Sequence, residues 1–319
     1  KSIGFGEAVR NLAAEAGMQP YRFSNFDHKK DLRFQTYKNI LKEYSNYFHQ
    51  QLFDSDNKEA AEYLFNRGLN KNTIKDFQLG YVPWKNNFYA ELLKKYSEEE
   101  INLTGLYYKN DKSGKYIDRF NSRVIFPINN ITGETIAFGG RIIREGKLAK
   151  YINSPETEFY KKGNVIFNLD KAKDSRSETD EVLIVEGYMD VVSVYSSGIK
   201  NVIANSGTAL TERQISLIWK FFSNPIICLD GDESGQKAAL RIAEKLFPLI
   251  NENNKIYFSV MPDGADPDDY IKQKGKDGLL TLLKEKEIIQ SFIWNYNLSK
   301  INQNNPYEIS KFEKEIKSL

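Results

Sequence analysis

The spacing of hydrophobic residues divides the first half of the chain into two regions. Between about residues 32 and 95, hydrophobic side chains recur at steps of three and four, as at Ile40, Leu41 and Tyr44, which predicts helices. From Tyr107 the period shortens, and turn-forming stretches flank the apolar segments 123–127 and 135–138. This pattern is typical of antiparallel strands. The first half is therefore predicted to be a mixed helical and antiparallel-strand subdomain.

A different pattern follows a polar break at residues 174–180. Short, continuous apolar runs are separated by helix-length segments, and they occupy residues 182–185, 202–204, 226–229 and 256–260. Such runs are typical of a parallel sheet that is covered by helices on both faces. After Asp266 the spacing becomes helical again. The predicted fold class is mixed α/β, with a parallel sheet flanked by helices and a helical C-terminal segment.

The composition limits the kinds of protein that this chain can be. A length of 319 residues allows two or three domains. No stretch approaches the roughly 20 apolar residues of a membrane span, and residues 1–10 lack an apolar signal core. We therefore expect a cytoplasmic protein without a membrane partner. With one cysteine and two histidines, a metal would be held mainly by carboxylates.

Charge is distributed unevenly, although the net charge is only +2. Residues 109–173 contain thirteen Lys or Arg and seven Asp or Glu, so the rest of the chain is acidic. A basic region beside an acidic one suits a protein that grips phosphates with one part and binds metal with another. An unevenly charged, solvated surface is the alternative interpretation.

Acidic residues follow three of the predicted parallel strands. They are Glu186 and Asp190, then Asp230 and Asp232, and finally Asp266 and Asp268. Because the carboxyl ends of parallel strands meet at one edge of the sheet, these side chains are expected to converge there. Like charges at close range repel, so a cluster of this kind favours bound cations. Oxygen ligands alone select Mg²⁺ or Mn²⁺.

Several motifs resemble those of one known family. VEGYMD at 185–190, GTALT at 207–211, DGDESG at 230–235 and DPD at 266–268 are similar to the TOPRIM module of bacterial replicative DNA primases of the DnaG type. RFNSRVIFPI at 119–128, FGGR at 138–141 and KYINSPET at 150–157 resemble the basic motifs of the same primases. The similarity spans residues 1–275. It implies the catalytic core of a primase.

The resemblance also implies a domain organisation. Residues 1–19 are expected to be the tail of a zinc-binding domain, and residues 20–178 a basic α+β subdomain. Residues 179–264 are expected to form the TOPRIM module, and residues 265–319 a helical subdomain. Zinc would be bound only by the preceding domain, and the replicative helicase would be contacted by a domain that follows. The sequence is therefore expected to be a fragment of a longer protein.

The implied activity is DNA-dependent RNA synthesis. Such an enzyme joins NTPs into short RNA primers on single-stranded DNA, releases pyrophosphate and leaves a primer–DNA hybrid. The resemblance assigns catalysis and metal binding to Glu186, Asp230 and Asp232, with two or more Mg²⁺ or Mn²⁺ ions. Asp190, Asp266 and Asp268 are expected to be further ligands or acids beside the ligands.

Basic residues of the upstream motifs are expected to bind nucleotide and DNA. Arginine forks suit phosphate oxygens, and lysine supplies a mobile charge. The candidates are Arg119, Arg123, Arg141, Lys150, Asn153 and Lys162. The loop at Gly207–Thr208 is expected to offer backbone N–H groups to a phosphate. A site of this kind is also expected to bind stress nucleotides such as guanosine tetraphosphate.

Two other functions use a similar set of residues. A TOPRIM nuclease or a phosphohydrolase would employ the same acids, although phosphatases of the haloacid dehalogenase type carry Asp-x-Asp after their first strand rather than the third. A nonenzymatic DNA-binding scaffold is the alternative from a different class. Such a scaffold is expected to lose the acids at the strand ends, and here these acids are intact.

Overall fold

The computed structural model describes residues 25–317 apart from 145, 147, 206–209 and 263. The expected zinc-domain tail at 1–19 and the Gly207–Thr208 loop lie outside these residues. The N-terminal part of the described chain contains the helices α1 Asn25–Gln51, α2 Lys58–Asn66, α3 Lys71–Asp76, α4 Phe88–Leu93 and α5 Glu98–Leu103. They confirm the helical prediction for most of residues 32–95.

One part of that region is a strand rather than a helix. Gly80–Val82 forms β1, which pairs antiparallel with β4, Arg123–Asn129. The three-residue strand is too short to show a periodicity of its own, and its partner lies about forty residues away in the sequence. The wholly helical prediction was therefore wrong at this point.

The antiparallel strands of the first half form a four-stranded sheet and a separate hairpin. The sheet has the order β1-β4-β5-β6, where β5 is Thr135–Ile142 and β6 is Tyr151–Asn153. Strands β2 Tyr107–Lys109 and β3 Tyr116–Asp118 form the hairpin. This arrangement confirms the antiparallel prediction and brings the basic motifs at 119–128, 138–141 and 150–157 onto neighbouring strands.

The second sheet has five strands in the order β11-β10-β9-β7-β8. Strands β7 Glu181–Val185, β8 Val202–Ala204, β9 Asn224–Leu229 and β10 Tyr257–Val260 are parallel, as predicted. The edge strand β11, Glu287–Ile288, is antiparallel and comes from the C-terminal segment. That segment is therefore not wholly helical, because two of its residues complete the sheet.

Helices cover both faces of this sheet. In chain order the helices of this half are α6 Leu169–Ala172, α7 Tyr188–Ser196, α8 Glu212–Ile218, α9 Glu233–Leu246, α10 Pro267–Lys284, α11 Ile289–Leu298 and α12 Pro306–Lys317. The last of them, α12, packs on α11. Helix α10 is broken at Gly275, whose φ of +67° lies in the left-handed region. Among the residues that the structure describes, no helix is both long enough and apolar enough to span a bilayer.

Alternate residues of each strand enter two hydrophobic clusters. Leu183 and Val185 of β7 join a cluster that continues through α7 and α10 into the N-terminal subdomain. Val182 and Ile184 face the other way and pack with α8, α9 and α11. Because the first cluster spans both halves of the molecule, burial of apolar surface holds the basic sheet against the acidic end of the parallel sheet.

Candidate active site

The acids predicted from the sequence lie at the carboxyl ends of β7, β9 and β10. Glu186 directly follows β7 and is exposed, whereas Asp230 directly follows β9 and is half-buried. Gly231 allows the loops after β9 and β10 to touch, since a Cβ there would lie 2.1 Å from the Met261 carbonyl oxygen. The Gly231 N–H also donates to the Ala265 carbonyl at 3.2 Å. Two of the acidic loops are thereby joined.

Asp230 lies at the centre of the acidic cluster. Burial, together with the neighbouring charges of Glu186, Asp266 and Asp232, raises its pKa to about 7. Its Oδ1 atom is buried and accepts no hydrogen bond from the part of the chain that the structure describes. A buried carboxylate oxygen without a donor is costly, and a bound cation would compensate it.

Asp190 both caps a helix and interacts electrostatically with the other acids. It lies in the first turn of α7, where its Oδ2 atom accepts the N–H of Gly187 at 2.9 Å. Burial raises its pKa to about 8, with smaller contributions from Asp266 and Asp230. Asp190 therefore caps its helix and also lies within electrostatic range of the other acids.

Asp232 and Asp266 each cap a helix with one carboxylate oxygen. Asp232 accepts the N–H of Gly235 at 2.6 Å, and Asp266 accepts that of Asp269 at 2.7 Å. These caps fix both side chains at helix N-termini, where negative charge is favourable. The second oxygen of each carboxylate makes no hydrogen bond within the described ranges, so it is available for a ligand.

Asp268 has a different environment from the other acids. It is only 2% exposed and is held by Arg67 Nη1 at 2.9 Å, Lys272 Nζ at 2.7 Å and Ser193 Oγ at 2.5 Å. It nevertheless has ligand atoms within 4.8 Å of those of Asp266 and Asp269, as a metal-binding triad would. Its assignment as a metal ligand stays a prediction.

The donor set fits a divalent cation that prefers oxygen. The residues that converge here are carboxylates, and the nearby sulfur of Cys228 is buried, its pKa raised to about 12 by burial and by the acids. A thiol with so high a pKa is protonated and does not supply the thiolate that a soft metal requires. The acidic cluster therefore supports divalent-metal binding.

A basic cavity of about 550 Å³ lies between α2 and the end of β5. It is lined by Tyr63, Arg67, Arg141, Arg144 and Lys150, among others. The Tyr151 hydroxyl accepts a hydrogen bond from Arg141 at 2.6 Å. Arg67, in the cavity wall, donates to Asp268 at 2.9 Å, and the ligand atoms of Asp268 lie within 4.8 Å of those of Asp266. The acids of the segment after β10 therefore lie near the wall of this cavity. Phosphate oxygens bound in it would have metal ligands close by.

The predicted nucleotide-binding arginines differ in their exposure. Arg123 is 5% exposed and donates to the Lys150 carbonyl at 3.3 Å, so it supports the backbone of that loop. Arg119 donates through Nε to the Gly105 carbonyl at 3.0 Å and lies over the Tyr108 ring. Arg141 is also buried, but its guanidinium lines the cavity.

Asn153 and Lys162 each contact a residue of a helix that flanks the parallel sheet. Asn153 Oδ1 accepts a hydrogen bond from the Tyr188 hydroxyl at 2.7 Å. Lys162 begins a short 3₁₀ turn, and its carbonyl accepts from Gln214 at 3.1 Å. These contacts place Asn153 next to α7 and Lys162 next to α8, while the binding roles of both side chains stay predictions.

Three residues near the site were not predicted from the sequence. Tyr63 and Arg67 come from the end of α2, and Tyr151 comes from β6. The Arg141 guanidinium lies over the rings of Tyr63 and Tyr151, with centroid distances of 5.4 and 5.1 Å. No local motif marks Tyr63 or Arg67, whereas Tyr151 lies in the KYINSPET motif between the predicted site residues Lys150 and Asn153.

Comparison with known proteins identifies two family models in this chain. The model described as the DNA primase catalytic core, N-terminal domain, matches residues 47–173, and the Toprim domain model matches residues 180–258. The DNA primase of Haemophilus influenzae is 36% identical over 302 residues, covering 92% of this chain and 50% of that protein. The DNA primase of Legionella pneumophila is 34% identical over 305 residues, covering 95% of this chain and 52% of that protein. The chain thus spans about half the length of the curated relatives it matches.

Solved structures agree with these matches. The DnaG primase catalytic domain bound to ssDNA superimposes with a TM-score of 0.81 at 30% identity, covering 88% of each chain. A DNA primase domain from Pseudomonas aeruginosa gives a TM-score of 0.78 at 31% identity, covering 83% of this chain and 84% of that one. These findings confirm the family resemblance, the TOPRIM module and the mixed α/β fold. The chain therefore belongs to the family of DnaG-type bacterial DNA primase catalytic cores.

Proposed function

We propose that this chain synthesises short RNA primers on single-stranded DNA from NTPs, releasing pyrophosphate. The observation that carries the proposal is that Arg67, which lines the same cavity as Arg141 and Lys150, pairs with Asp268 of the acidic segment after β10 at 2.9 Å. The related catalytic domain bound to ssDNA supports a DNA template. The proposed reaction, RNA primer synthesis from NTPs, is the one that the primase family carries out.

Glu186, Asp230 and Asp232 are the proposed catalytic metal ligands. Two Mg²⁺ or Mn²⁺ ions would supply charge stabilisation for the attacking and leaving oxygens of an in-line displacement. Asp266 adds to the effect of burial in raising the pKa of both Asp190 and Asp230. Asp190 and Asp266 are therefore proposed as further ligands or as acids beside the ligands. A cation at this site would bind the ionised carboxylate of Asp230 and would therefore favour its ionisation.

The chain's own basic groups would orient the nucleotide and the template. Arg141 and Lys150 line the cavity and are proposed to hold the triphosphate. Arg119, beside the half-exposed ring of Tyr108, is proposed to contact the template backbone. Arg123 is proposed to act by holding the Lys150 backbone, and Asn153 and Lys162 are proposed contacts for nucleotide or primer–DNA hybrid.

The domain boundaries of the chain, and the contacts of the longer protein with zinc and the helicase, are part of the same proposal. Residues 20–178 would be the basic subdomain, 179–264 the TOPRIM module and 265–319 the C-terminal subdomain. Zinc binding and helicase contact would require parts of a longer protein, as the half-length coverage of the relatives allows.

The decisive experiment is primer synthesis by the chain on a single-stranded template with labelled NTPs. The parent is compared with the double variant Asp230→Ala, Asp232→Ala, in Mg²⁺ and in Mn²⁺. Glu233→Ala is the matched control, because Glu233 follows Asp232 directly but is exposed and paired with Lys237. Short RNA from the parent and the control, and none from the double variant, is the expected result.

The alternative activities give different products in the same reactions. A nuclease would shorten the DNA, a phosphohydrolase would cleave a simple phosphate ester, and a scaffold would bind DNA without any metal-dependent product. Metal-dependent loss of template length without RNA synthesis would contradict the primase proposal.

Inhibition by a stress nucleotide is a further part of the proposal. The cavity near Arg141 and Lys150 would accept the phosphates of guanosine tetraphosphate as it would those of an NTP. Titrating this nucleotide against primer synthesis should give inhibition that higher NTP concentrations relieve. Absence of both effects would remove this regulatory idea and leave primer synthesis untouched.

A further inference from the structure

Asp268 is bound by donors from three separate parts of the chain. Arg67 follows α2 in the N-terminal subdomain, Ser193 lies in α7 of the TOPRIM module, and Lys272 lies one turn further along α10. Arg67 Nη1 and Lys272 Nζ reach Oδ2 at 2.9 and 2.7 Å, and Ser193 Oγ reaches Oδ1 at 2.5 Å. With a side chain that is 2% exposed, both carboxylate oxygens are occupied.

These contacts leave Asp268 poorly suited to bind a metal directly. Two cations already compensate its charge, and a divalent ion would have to displace them or share their acceptor. Asp266, two residues earlier, caps α10 with a single oxygen. It adds to the burial that raises the pKa of both Asp190 and Asp230, whereas Asp268 makes only the smallest contribution at Asp190. The two acids of the DPD motif therefore have different surroundings.

Building on the proposed metal-dependent synthesis, we propose that Asp268 is an anchor rather than a metal ligand. Through it Arg67 acts as a positioning residue, which holds the start of α10, and with it Asp266, against the Asp230 loop. Groups that orient metal ligands without touching the metal often control affinity nearly as strongly as the ligands.

Arg67 also connects this anchor to the basic cavity. Its guanidinium lies 5.8 Å from the centroid of the Tyr63 ring, and Arg67, Tyr63 and Arg141 all line that cavity. One side chain thus contacts the wall of the proposed phosphate site and the helix that carries a proposed metal ligand. The contact sets the distance between the two sites, which in-line transfer has to control.

The test measures Mn²⁺ binding without NTP or template, by the electron paramagnetic resonance signal of free Mn²⁺. The anchor predicts that Arg67→Ala weakens Mn²⁺ binding by about tenfold, the lower end of the range for groups that orient ligands. Asp268→Asn should weaken it similarly, and the double variant should be no weaker than either single variant, because both break the same contact. Arg67→Lys should restore part of the loss.

If Asp268 is instead a metal ligand, Arg67→Ala should change the Mn²⁺ affinity in the opposite direction. If Asp268 were a ligand, Arg67→Ala would release its carboxylate and remove a nearby positive charge, so Mn²⁺ would bind more tightly. Tighter or unchanged binding by Arg67→Ala therefore overturns the proposal. Lys94→Ala is the matched control, because it removes a cation from an exposed ion pair with Glu91 at the end of α4 in the N-terminal subdomain.

A milder variant keeps the test valid if Arg67→Ala fails to fold. Ser193→Ala removes one donor to Asp268 and leaves both of its ion pairs, and it should weaken Mn²⁺ binding while thermal unfolding stays cooperative. Parental Mn²⁺ affinity in a folded Ser193→Ala protein would also overturn the anchor. A parent that binds no Mn²⁺ would instead contradict the proposed metal-dependent function.

Discussion

The Tyr188 hydroxyl donates a hydrogen bond to Asn153 Oδ1 at 2.7 Å, and the same tyrosine ring packs on the backbone of Gly139. Tyr188 begins the helix that follows Glu186, whereas Asn153 and Gly139 belong to the antiparallel sheet. One side chain therefore connects the acidic strand ends to the sheet that carries the basic motifs.

Gly139→Ala is predicted to destabilise this junction. A Cβ at residue 139 would lie 2.3 Å from the Tyr188 ring, so the ring or the strand must move. Overpacking of this kind costs about 1–3 kcal/mol in the free energy of unfolding. Urea denaturation measures the loss, and Gly146→Ala is the control because a Cβ there meets nothing within 4 Å. Equal stabilities of the two variants would contradict the packing argument.

Asp118→Asn is predicted to change how stability depends on pH. Asp118 is 6% exposed, and burial raises its pKa to about 7 although Tyr44 and the Phe120 N–H donate to it. Because the folded state holds this proton more tightly than the unfolded state, Asp118 makes the protein less stable as pH rises from about 4 to 7.

Replacing the Asp118 carboxyl by an amide should remove its contribution to the slope of the free energy of unfolding against pH. Between about pH 4 and 7, the free energy of unfolding of the variant should fall less steeply with pH than that of the parent, by up to about 1.4 kcal/mol per pH unit. Urea denaturation at several pH values between 4 and 8 measures the difference. Parallel curves for parent and variant would show that Asp118 titrates normally.

Asp230→Asn is predicted to raise stability without metal and to abolish stabilisation by metal. The parent buries Asp230 beside Glu186 and Asp266, so a neutral amide relieves repulsion in the free protein. A ligand at a hundred times its Kd stabilises the folded state by about 2.7 kcal/mol. Mn²⁺ should therefore raise the Tm of the parent by several degrees, and that of the variant hardly at all. A metal-induced rise of equal size in both proteins would place the ion elsewhere.

Lys150→Ala is predicted to reduce the salt dependence of DNA binding. Lys150 is exposed at the edge of the basic cavity, and loss of one phosphate contact lowers the slope of log K against log salt by about one unit. Fluorescence anisotropy of a labelled single strand at several salt concentrations measures the slope. Arg119→Ala should behave in the same way, and Lys94→Ala should keep the parental slope. An unchanged slope with unchanged activity for Lys150→Ala would exclude its phosphate contact.

The sequence by itself determined the features that depend on neighbouring residues. The apolar runs that became β7 to β10 have a local pattern, and the residues directly after them had to lie at one edge of a parallel sheet. Glu186, Asp230 and Asp266 could therefore be predicted as a cluster. The basic motifs and the family resemblance also follow from residues that are close together in the chain.

Tertiary structure decided which of these side chains are accessible and which are already paired. Arg67 meets Asp268 across two hundred residues of sequence, and Arg123 is buried under the Lys150 backbone rather than presented to solvent. Strand β1 exists because β4 offers it an edge, and Gly139 is needed because Tyr188 packs there. Periodicity and motif spacing describe local backbone preference, whereas such pairings depend on how distant elements pack.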